Sequence, residues 1–275
     1  MYAGRRRRDQ PLLHLILLGL SRREPQGLGC GRNAENNNVR ADVEKVHRDL
    51  VFVGNYTGYR IRKCRLMIAD ANLPLRCICD RVRGVAHEVS LSASFRFVCY
   101  CKDCQAFARF LDRPDVLDAA GGADIFRMSP ARVQITAGAD ALRCLCLREK
   151  TRVMRWYADC CRTPFANTAA SPHFPIVALI HSFIDAEAIG RSRDEMLGPP
   201  LCGIYERSAI GPLPLNAPAS PSVGVFISRA SKMFGWWMRG LARPNPFFDD
   251  QTNAPISPPR VLTPSERATL ERGDA

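Results

Sequence analysis

The sequence predicts a mainly β domain with a few short helices, followed by one amphipathic helix. From Leu73 to Asp185 the chain consists mostly of short segments in which apolar and polar residues alternate, separated by turn-forming residues. Helical periodicity over a longer stretch returns at residues 222–243. The chain has 275 residues, of which 46% are hydrophobic, so it is long enough to bury a core of its own.

Five segments are expected to be strands, because each is short and bounded by turns: residues 85–90, 95–100, 133–137, 142–147 and 153–157. Residues 175–184 are apolar enough to form a further strand in the core. His181 within that segment is interpreted as a hydrogen-bonded core residue, with a metal ligand as the alternative. Residues 104–111 form the best short helix of this region.

Seven of the twelve cysteines lie in three tight groups: Cys77 and Cys79, then Cys99, Cys101 and Cys104, then the adjacent Cys160 and Cys161. Closely spaced thiols suit a soft, tetrahedral cation, and zinc is the usual occupant of such sites. Groups so far apart can share metals only if the fold brings them together, which implies one compact domain spanning all three. Disulfides fit poorly because C-x-C neighbours are too close to bridge easily. Unligated or redox thiols are the remaining alternative.

The other cysteines carry a weaker signal. Cys30, Cys64 and Cys202 stand alone and are treated as incidental. Cys144 and Cys146 lie on one face of a predicted strand. Ordinary packing and a spare zinc ligand are both open interpretations of that pair.

The first 66 residues differ in composition from the rest. They carry 14 Lys or Arg and 6 Asp or Glu, and so account for eight of the twelve net positive charges. The basic balance is therefore weak evidence for nucleic-acid binding by the folded part, and no nucleic-acid partner is expected. Arginines at 5–8 and the apolar run 11–20 imitate a signal peptide, but a small-residue cleavage site is missing.

That apolar run is also too short to be a transmembrane segment. Three interpretations of residues 1–66 stay open: an over-extended reading frame whose true start is Met67, a disordered tail, or an export or anchor signal. On balance we expect a cytoplasmic protein without a transmembrane segment.

The rest of the chain divides into four predicted parts. Residues 67–197 form the zinc-binding β domain, 198–221 a Pro/Gly-rich linker, 222–243 the amphipathic helix and 244–275 an extended C-terminal tail. Ser222 is a suitable N-cap for the helix. The helix is expected to place its large apolar residues mainly on one side: Val225, Phe226, Met233, Phe234, Trp237 and Leu241. That side packs on the domain in the simpler interpretation, and contacts a membrane surface or a partner protein in the alternative.

The order of the cysteine motifs is similar to that of a known family. A C-x-C, a C-x-C-x-x-C that leads into a short helix, and a late cysteine followed by Arg162-Thr-Pro-Phe occur in sequence. This order resembles the glutathione-dependent formaldehyde-activating enzyme family, which includes centromere protein V. The segments CYCKDCQAF (99–107) and RWYADCCRTP (155–164) look most like a bacterial branch of it, for which PNPFF (244–248) is also typical. The resemblance covers roughly residues 73–184 and implies a β-rich zinc fold called a β-tent.

The resemblance also implies two metal sites. In the family, the first C-x-C and a late C-x-x-C-Gly hold a structural zinc, and the middle motif holds a second, more open zinc. We therefore expect one or two zinc ions per chain. Carried over to this sequence, the first site contains Cys77, Cys79 and Cys161, and the second contains Cys99, Cys101 and Cys104.

This chain departs from the family pattern at the first site. Ala158 stands where the family has the first cysteine of the late pair, and Arg162 and Asp80 stand where it has glycines. Cys160 is the natural replacement ligand, but neighbouring residues of an extended chain point to opposite faces. Only a tight turn would let the sulfurs of Cys160 and Cys161 reach one ion.

Two functions remain open. The first, implied by the resemblance, is a zinc-dependent carbon–sulfur lyase that acts on thiol adducts of small aldehydes, such as S-hydroxymethylglutathione. A small thiol such as glutathione is then the partner, and the three-cysteine motif leaves a fourth zinc position open for it. The second function is a non-catalytic, zinc-stabilised binding or scaffold domain. The sequence does not indicate an oligomeric state.

A catalytic site would need further residues around the middle motif. Asp103 and His87 are general-base candidates by residue type only, and we interpret both as solvated surface residues. The cleft over the motif is expected to have two aromatic walls: Phe107 or Phe110 on the helix, and Trp156 and Tyr157 before the late cysteines.

Overall fold

The computed structural model describes residues 71–90, 94–190, 192–215 and 217–273. Arg65–Ala275 forms one compact unit. The extension predicted at residues 1–66, with its three interpretations, lies outside the described residues. Within the described ranges, no helix is both long and apolar enough to cross a membrane.

The described residues contain eleven strands and four α-helices, with short 3-10 turns between them. The strands are β1 (Ala71–Arg76), β2 (Arg83–Val89), β3 (Phe95–Cys99), β4 (Ala123–Met128), β5 (Val133–Ala137), β6 (Leu142–Cys146), β7 (Val153–Ala158), β8 (Thr163–Ala169), β9 (Val177–Ile180), β10 (Gly203–Ile204) and β11 (Pro259–Val261). The helices are α1 (Lys102–Phe110), α2 (Arg193–Leu197), α3 (Val223–Met238) and α4 (Pro264–Arg272). The prediction of a mainly β fold with a few short helices is confirmed.

The strands form two sheets. The smaller is antiparallel, with the order β1-β2-β5. The larger has the order β10-β3-β4-β9-β8-β7-β6-β11. Its six inner strands are antiparallel, whereas its two edge strands are parallel additions, β10 beside β3 and β11 beside β6. Both edge strands come from the part of the chain that follows the cysteine motifs.

One hydrophobic core joins the two sheets. Alternate residues of each strand point to the same face, so each sheet presents a row of apolar side chains to the other. Buried members of this core come from the smaller sheet (Leu73, Leu75, Val133) and from the larger one (Trp156, Phe165, Leu179). The turns that carry the first and last cysteine pairs lie at the ends of strands that line this core, and the fold therefore holds those turns in place.

The predicted strands are all present, as β2, β3, β5, β6 and β7, and the apolar segment 175–184 contains β9 followed by a 3-10 turn at His181–Phe183. The sequence does not predict β1, β4 and β8. β1 and β8 contain Pro74 and Pro164, which lack the N–H that a sheet ladder uses. In β8 the register against β7 shifts between Trp156 and Tyr157, so the proline is accommodated at a β-bulge.

Helix α3 packs on the domain with only part of the predicted side, which includes Val225 and Leu241. Ser222 caps the helix, since its hydroxyl oxygen accepts a hydrogen bond from the backbone N–H of Val225 (3.3 Å). Val225 and Trp236 pack in the cluster that contains Phe95 and Phe97. Three residues of the predicted inner side are instead exposed, because the helix has apolar residues on both sides. The exposed side comprises Val223, Phe226, Ile227, Phe234, Trp237 and Met238.

The predicted linker and tail contribute ordered elements to the folded unit. Residues 198–221 supply β10 and the buried Cys202. Residues 244–275 supply β11 and α4 in place of a merely extended chain. The prolines of this segment led to the prediction of an extended chain. Pro264 is nevertheless compatible with a helix, because it is the first residue of α4, where no intrahelical N–H bond is lost. Thr263 and Glu266 form a capping box at the same helix start.

Candidate metal centres

The first cysteine group consists of Cys77, Cys79, Cys160 and Cys161, whose sulfurs all lie within 4.8 Å of one another. The Sγ atom of Cys160 lies 3.8 Å from that of Cys77, 3.2 Å from that of Cys79 and 3.8 Å from that of Cys161. Four sulfurs bound tetrahedrally at about 2.3 Å from one zinc would be about 3.8 Å apart. The donor set and its spacing therefore fit a tetrahedral metal site, and Cys160 is placed to serve as the fourth ligand.

Two tight turns bring these thiols together. The turn after β1 carries the C-x-C pair, and the next residue, Asp80, has a left-handed φ of 64°. The turn between β7 and β8 carries the adjacent pair, and Arg162 after it has a φ of 55°. The chain thus reverses at Cys160 and Cys161, and their sulfurs point to one place. Asp80 and Arg162 are the positions where the resemblance leads one to expect glycine, which adopts such φ values without strain.

Polar contacts favour a thiolate at Cys161. Its Sγ atom lies 3.1 Å from the hydroxyl of Thr163. Burial alone would raise the pKa of Cys161, but hydrogen bonds from Thr163 and from the backbone N–H groups of Cys79 and Thr163 lower it to about 6. Burial raises the pKa of Cys77 and of Cys160. These contacts therefore favour ionisation of Cys161 over that of Cys77 and Cys160.

The second group consists of Cys99, Cys101 and Cys104, whose sulfurs also lie within 4.8 Å of one another. Cys99 ends β3, and Cys104 lies in the first turn of α1. Cys101 is the N-cap of that helix, and its sulfur accepts a hydrogen bond from the backbone N–H of Cys104 (3.4 Å). The end of a strand and the start of a helix thus bring three sulfurs together, as the C-x-C-x-x-C spacing predicts.

Hydrogen bonds within the second group favour one thiolate. Contacts with Cys101 and then with Cys99 lower the pKa of Cys104, and the positive charge of Arg155 lowers it further. The contact with Cys101 raises the pKa of Cys99, and the contact with Cys104 raises the pKa of Cys101 to about 11. The Nη1 atom of Arg155 lies 3.9 Å from the sulfur of Cys104. The group therefore concentrates negative charge on Cys104, where a cation would be attracted.

The second group offers three ligands where the first offers four. Among the Cys, His, Asp and Glu residues that the structure describes, no fourth one joins it at the same distance. A tetrahedral metal held by three protein ligands keeps one position for a small molecule. The three cysteines line a cavity of about 450 Å³. Its other walls include Phe97, Ile125, Arg127, Arg155, Asn167, Ala178 and Tyr205.

The aromatic residues that were expected to wall this cavity do not line it, so that prediction is wrong. Phe107 and Phe110 pack edge-on against Tyr157, with ring centres 6.4 and 5.9 Å away, on the side of α1 that faces β6 and the C-terminal segment. Trp156 points to the opposite face of β7 and packs against Phe247. The apolar wall of the cavity instead includes Phe97 of β3 and Ile125 of β4.

The remaining candidate residues lie outside both groups. His87 is half-buried on the smaller sheet, where its ring contacts Asn72 and Gln134. Asp103 forms an ion pair with Arg148 (2.8 Å) at the cavity rim. The buried cysteines of β6, Cys144 and Cys146, and the buried Cys202 join neither group. His181 also lies apart from both, and its Nδ1 atom has no hydrogen-bond partner in the part of the chain that the structure describes.

The sequence analysis does not identify the two arginines that line the cavity beside the second cysteine group. Arg155 is buried in β7, where Nη1 reaches both Cys104 and the Oδ1 atom of Asn167 (3.3 Å). Arg127 comes from β4, a strand that the sequence does not predict. A signal was available for Arg155, since a charged residue stands in a predicted strand between apolar neighbours. The sequence offers no comparable signal for Arg127.

Comparison with known families gives one match. Residues 69–257 match the sequence profile of a family of unknown function (DUF6151), which covers more than half of the chain and both cysteine groups. The chain therefore belongs to that family. No curated protein matches it.

Proposed function

We propose that this member of the DUF6151 family is a zinc protein with a structural centre at the first cysteine group and a catalytic centre at the second. The catalytic centre would act as a carbon–sulfur lyase on adducts of a small aldehyde with a thiol such as glutathione, in the cytoplasm. The observation that carries the proposal is the contrast between the two groups. Four thiols close the first site, whereas three thiols and a cavity of about 450 Å³ leave the second accessible to a small molecule.

The substrate class rests on the motif-level resemblance to the glutathione-dependent formaldehyde-activating enzymes. Bound zinc would supply a Lewis-acidic position for a substrate sulfur or oxygen atom. The chain itself would supply the remaining functions. Arg155 donates toward the sulfur of Cys104 and so offsets part of the negative charge of three thiolates. Phe97 and Ile125 present an apolar wall that limits water around the reacting sulfur.

The proposed reaction needs no oxidant or reductant. The hydroxyl proton of a thiohemiacetal leaves, its C–O bond becomes a carbonyl, and the electron pair of the breaking C–S bond stays on sulfur. The products are the aldehyde and the free thiol after the sulfur takes up a proton. Asp103 is the one carboxylate among the cavity residues, and Arg148 and Arg155 hold it. The proton would therefore exchange with solvent at the cavity mouth.

The first test is the metal content of the full chain by elemental mass spectrometry. We expect two zinc ions per chain, and one in each of the variants Cys79→Ser and Cys101→Ser. In the cobalt-substituted protein, millimolar glutathione should shift the visible absorption of the second centre, and Cys101→Ser should abolish that shift while the first centre stays filled. Exchange NMR of formaldehyde with glutathione would then show faster exchange with the wild-type protein than with Cys101→Ser.

A non-catalytic binding domain is the second candidate. It is favoured by the exposed apolar side of α3, which includes Phe226, Phe234 and Trp237. It is also favoured by the chemistry of three thiolates, whose negative charge weakens a metal as a Lewis acid. Four protein ligands at the second metal in X-ray absorption, together with an absent thiol response, would establish this candidate against the lyase.

A further inference from the structure

Two arginines share one aromatic platform beside the second cysteine group. The guanidinium carbon of Arg127, on β4, lies 5.3 Å from the ring centre of Phe95 and 5.0 Å from that of Phe97. Arg229, on α3, approaches the same two rings at 4.8 and 5.4 Å. Rings attract cations, but two like charges on one platform repel each other. Burial, followed by the charge of Arg229, lowers the pKa of Arg127.

Neither arginine has a carboxylate partner among the described residues. The Nε atoms of both are sealed from solvent and have no hydrogen-bond partner there. The hydrogen bond that Arg229 does make is to the sulfur of Cys202. The protein elsewhere pairs its buried arginines: Arg96, for example, binds Asp124 at 2.6 Å. A half-buried guanidinium without a carboxylate partner is unfavourable, so this pair points to an anionic group that no described carboxylate supplies.

Arg127 also lines the cavity over Cys99, Cys101 and Cys104. Lys102 and Arg155 line it too, and Asp103 is the one carboxylate on its wall. That carboxylate already accepts from Arg148 at 2.8 Å, so it does not neutralise the cavity. The same cavity therefore holds a set of thiols together with positive charges that no carboxylate of the cavity compensates.

We propose that Arg127 is the anion-binding residue of this cavity, so that the ligand taken up at the second cysteine group is a small thiol that carries a carboxylate. This inference rests on the proposed function of that group. A planar guanidinium binds a carboxylate through two parallel N–H donors, and the rings of Phe95 and Phe97 hold its plane in position. The ligand would place its acid group on Arg127 and its sulfur at the open position of the metal centre.

The test compares two thiols of similar size on the full, metal-loaded chain, 3-mercaptopropionate and the neutral 2-mercaptoethanol, with dissociation constants read from the cobalt spectrum. A charge-assisted hydrogen bond predicts that the wild-type protein binds the acid about 10- to 100-fold more tightly than the neutral thiol. In Arg127→Met the preference should fall to less than about threefold, and Arg127→Lys should keep part of it because it keeps the charge. Arg143→Met, at an exposed arginine that does not line the cavity, is the matched control and should behave as wild type.

The metal content of each protein distinguishes failure of this inference from failure of the proposed function. Wild-type protein that holds two metals yet binds both thiols equally overturns this inference and leaves the proposed function standing. A charge preference that survives in Arg127→Met also overturns it. If Arg127→Met loses the second metal, Arg127 balances the thiolates themselves and the inference is wrong. Protein without a second metal overturns the proposed function and this inference with it. If Arg127→Met does not fold, the comparison of the two thiols on wild type and on Arg127→Lys still tests the inference. An equal preference for the acid in these two proteins would then overturn it.

Discussion

Two residues with left-handed backbone conformation shape the first cysteine group. Asp80 and Arg162 have φ values of 64° and 55°, and each directly follows a pair of cysteines. Asp80 is supported by Arg83, whose Nε atom donates to its Oδ1 atom at 2.9 Å. Asp also tolerates this region better than most residues, whereas an arginine does not. The strain at this group is therefore concentrated at Arg162.

Arg162→Gly should stabilise the protein by about 0.5–1 kcal/mol, because glycine adopts the left-handed conformation without steric cost. Arg162→Ala is the matched control, since it removes the same side chain but keeps a Cβ atom. Urea unfolding of the metal-loaded proteins measures the difference. Equal stabilities for the two variants would show that the backbone at this turn is not strained.

Cys79→Ser should release one metal ion per chain and lower the melting temperature by roughly 5–10 °C, because a structural metal contributes directly to folding. Cys79 is exposed, so the substitution removes little packing. Cys202→Ser is the control, since Cys202 is buried but belongs to neither group. Elemental analysis and differential scanning calorimetry test this, and unchanged metal content in Cys79→Ser would contradict a four-cysteine site.

His181 should make the stability depend on pH. Burial, then the charge of Arg193, lower its pKa in the folded state, although Asp124 acts in the opposite direction. The unfolded chain, with a histidine pKa of about 6.5, therefore takes up a proton at a higher pH than the folded chain does. Stability contributed by neutral His181 is complete above about pH 6.5 and declines as the pH falls below it.

The prediction is that His181→Asn loses less stability than wild type between about pH 7 and pH 5. His173→Asn, at an exposed histidine, should follow the wild-type curve. Urea midpoints at a series of pH values provide the measurement. Parallel curves for wild type and His181→Asn would mean that His181 does not titrate differently in the folded protein.

At the scale of elements, α3 has apolar residues on two sides, one packed against the domain and the other exposed. Val225 and Trp236 pack against the domain, and Lys232 donates from the same side to the backbone oxygen of Ser94 (3.1 Å). Arg229 places its guanidinium over the ring of Phe95 on that side as well. Cations thus lie on the packed side and large apolar residues on the exposed side. The helix therefore departs from the usual amphipathic arrangement, in which the exposed face is polar.

The adjacent tryptophans of α3 test this orientation, since Trp236 is 4% exposed and Trp237 is 59% exposed. Trp236→Ala should lower the free energy of unfolding by about 3–5 kcal/mol through the cavity it leaves. Trp237→Ala should change it by less than about 0.5 kcal/mol. Chemical unfolding of both variants is the measurement. Similar losses in the two would show that the helix packs with another side.

At the scale of the whole molecule, the C-terminal segment completes the fold around the cysteine motifs. Phe247 is fully buried, with its ring centre 5.1 Å from that of Trp156 and 5.4 Å from that of Phe165. β11 extends the larger sheet beside β6, and α4 packs on α1, the helix that begins at the second cysteine group. The segment therefore supports the helix that presents Cys104.

Phe247→Ala should lower the free energy of unfolding by about 3–5 kcal/mol. Phe174→Ala is the matched control, because Phe174 is 44% exposed, and it should cost less than about 0.5 kcal/mol. Thermal and urea unfolding measure both. A near-neutral Phe247→Ala would mean that residues 244–273 are an appendage and not part of the core.

The sequence by itself determined the mainly β class, the convergence of the C-x-C-x-x-C thiols and the position of α1, because these depend on short-range spacing and on alternation within single segments. It did not determine β1 and β8, where proline obscures the strand pattern. It also left the fourth ligand of the first group undecided.

The tertiary structure alone placed the sulfur of Cys160 beside those of Cys77, Cys79 and Cys161, because the direction of Cys160 depends on a left-handed turn at Arg162. It also decided which side of α3 packs and which residues wall the cavity beside Cys104. Arg127 reaches that cavity from β4, whereas Phe107 packs against Tyr157 and does not line it. These features depend on contacts between segments far apart in the chain. Local periodicity does not encode such contacts, since they arise only when the two sheets and the C-terminal segment pack together.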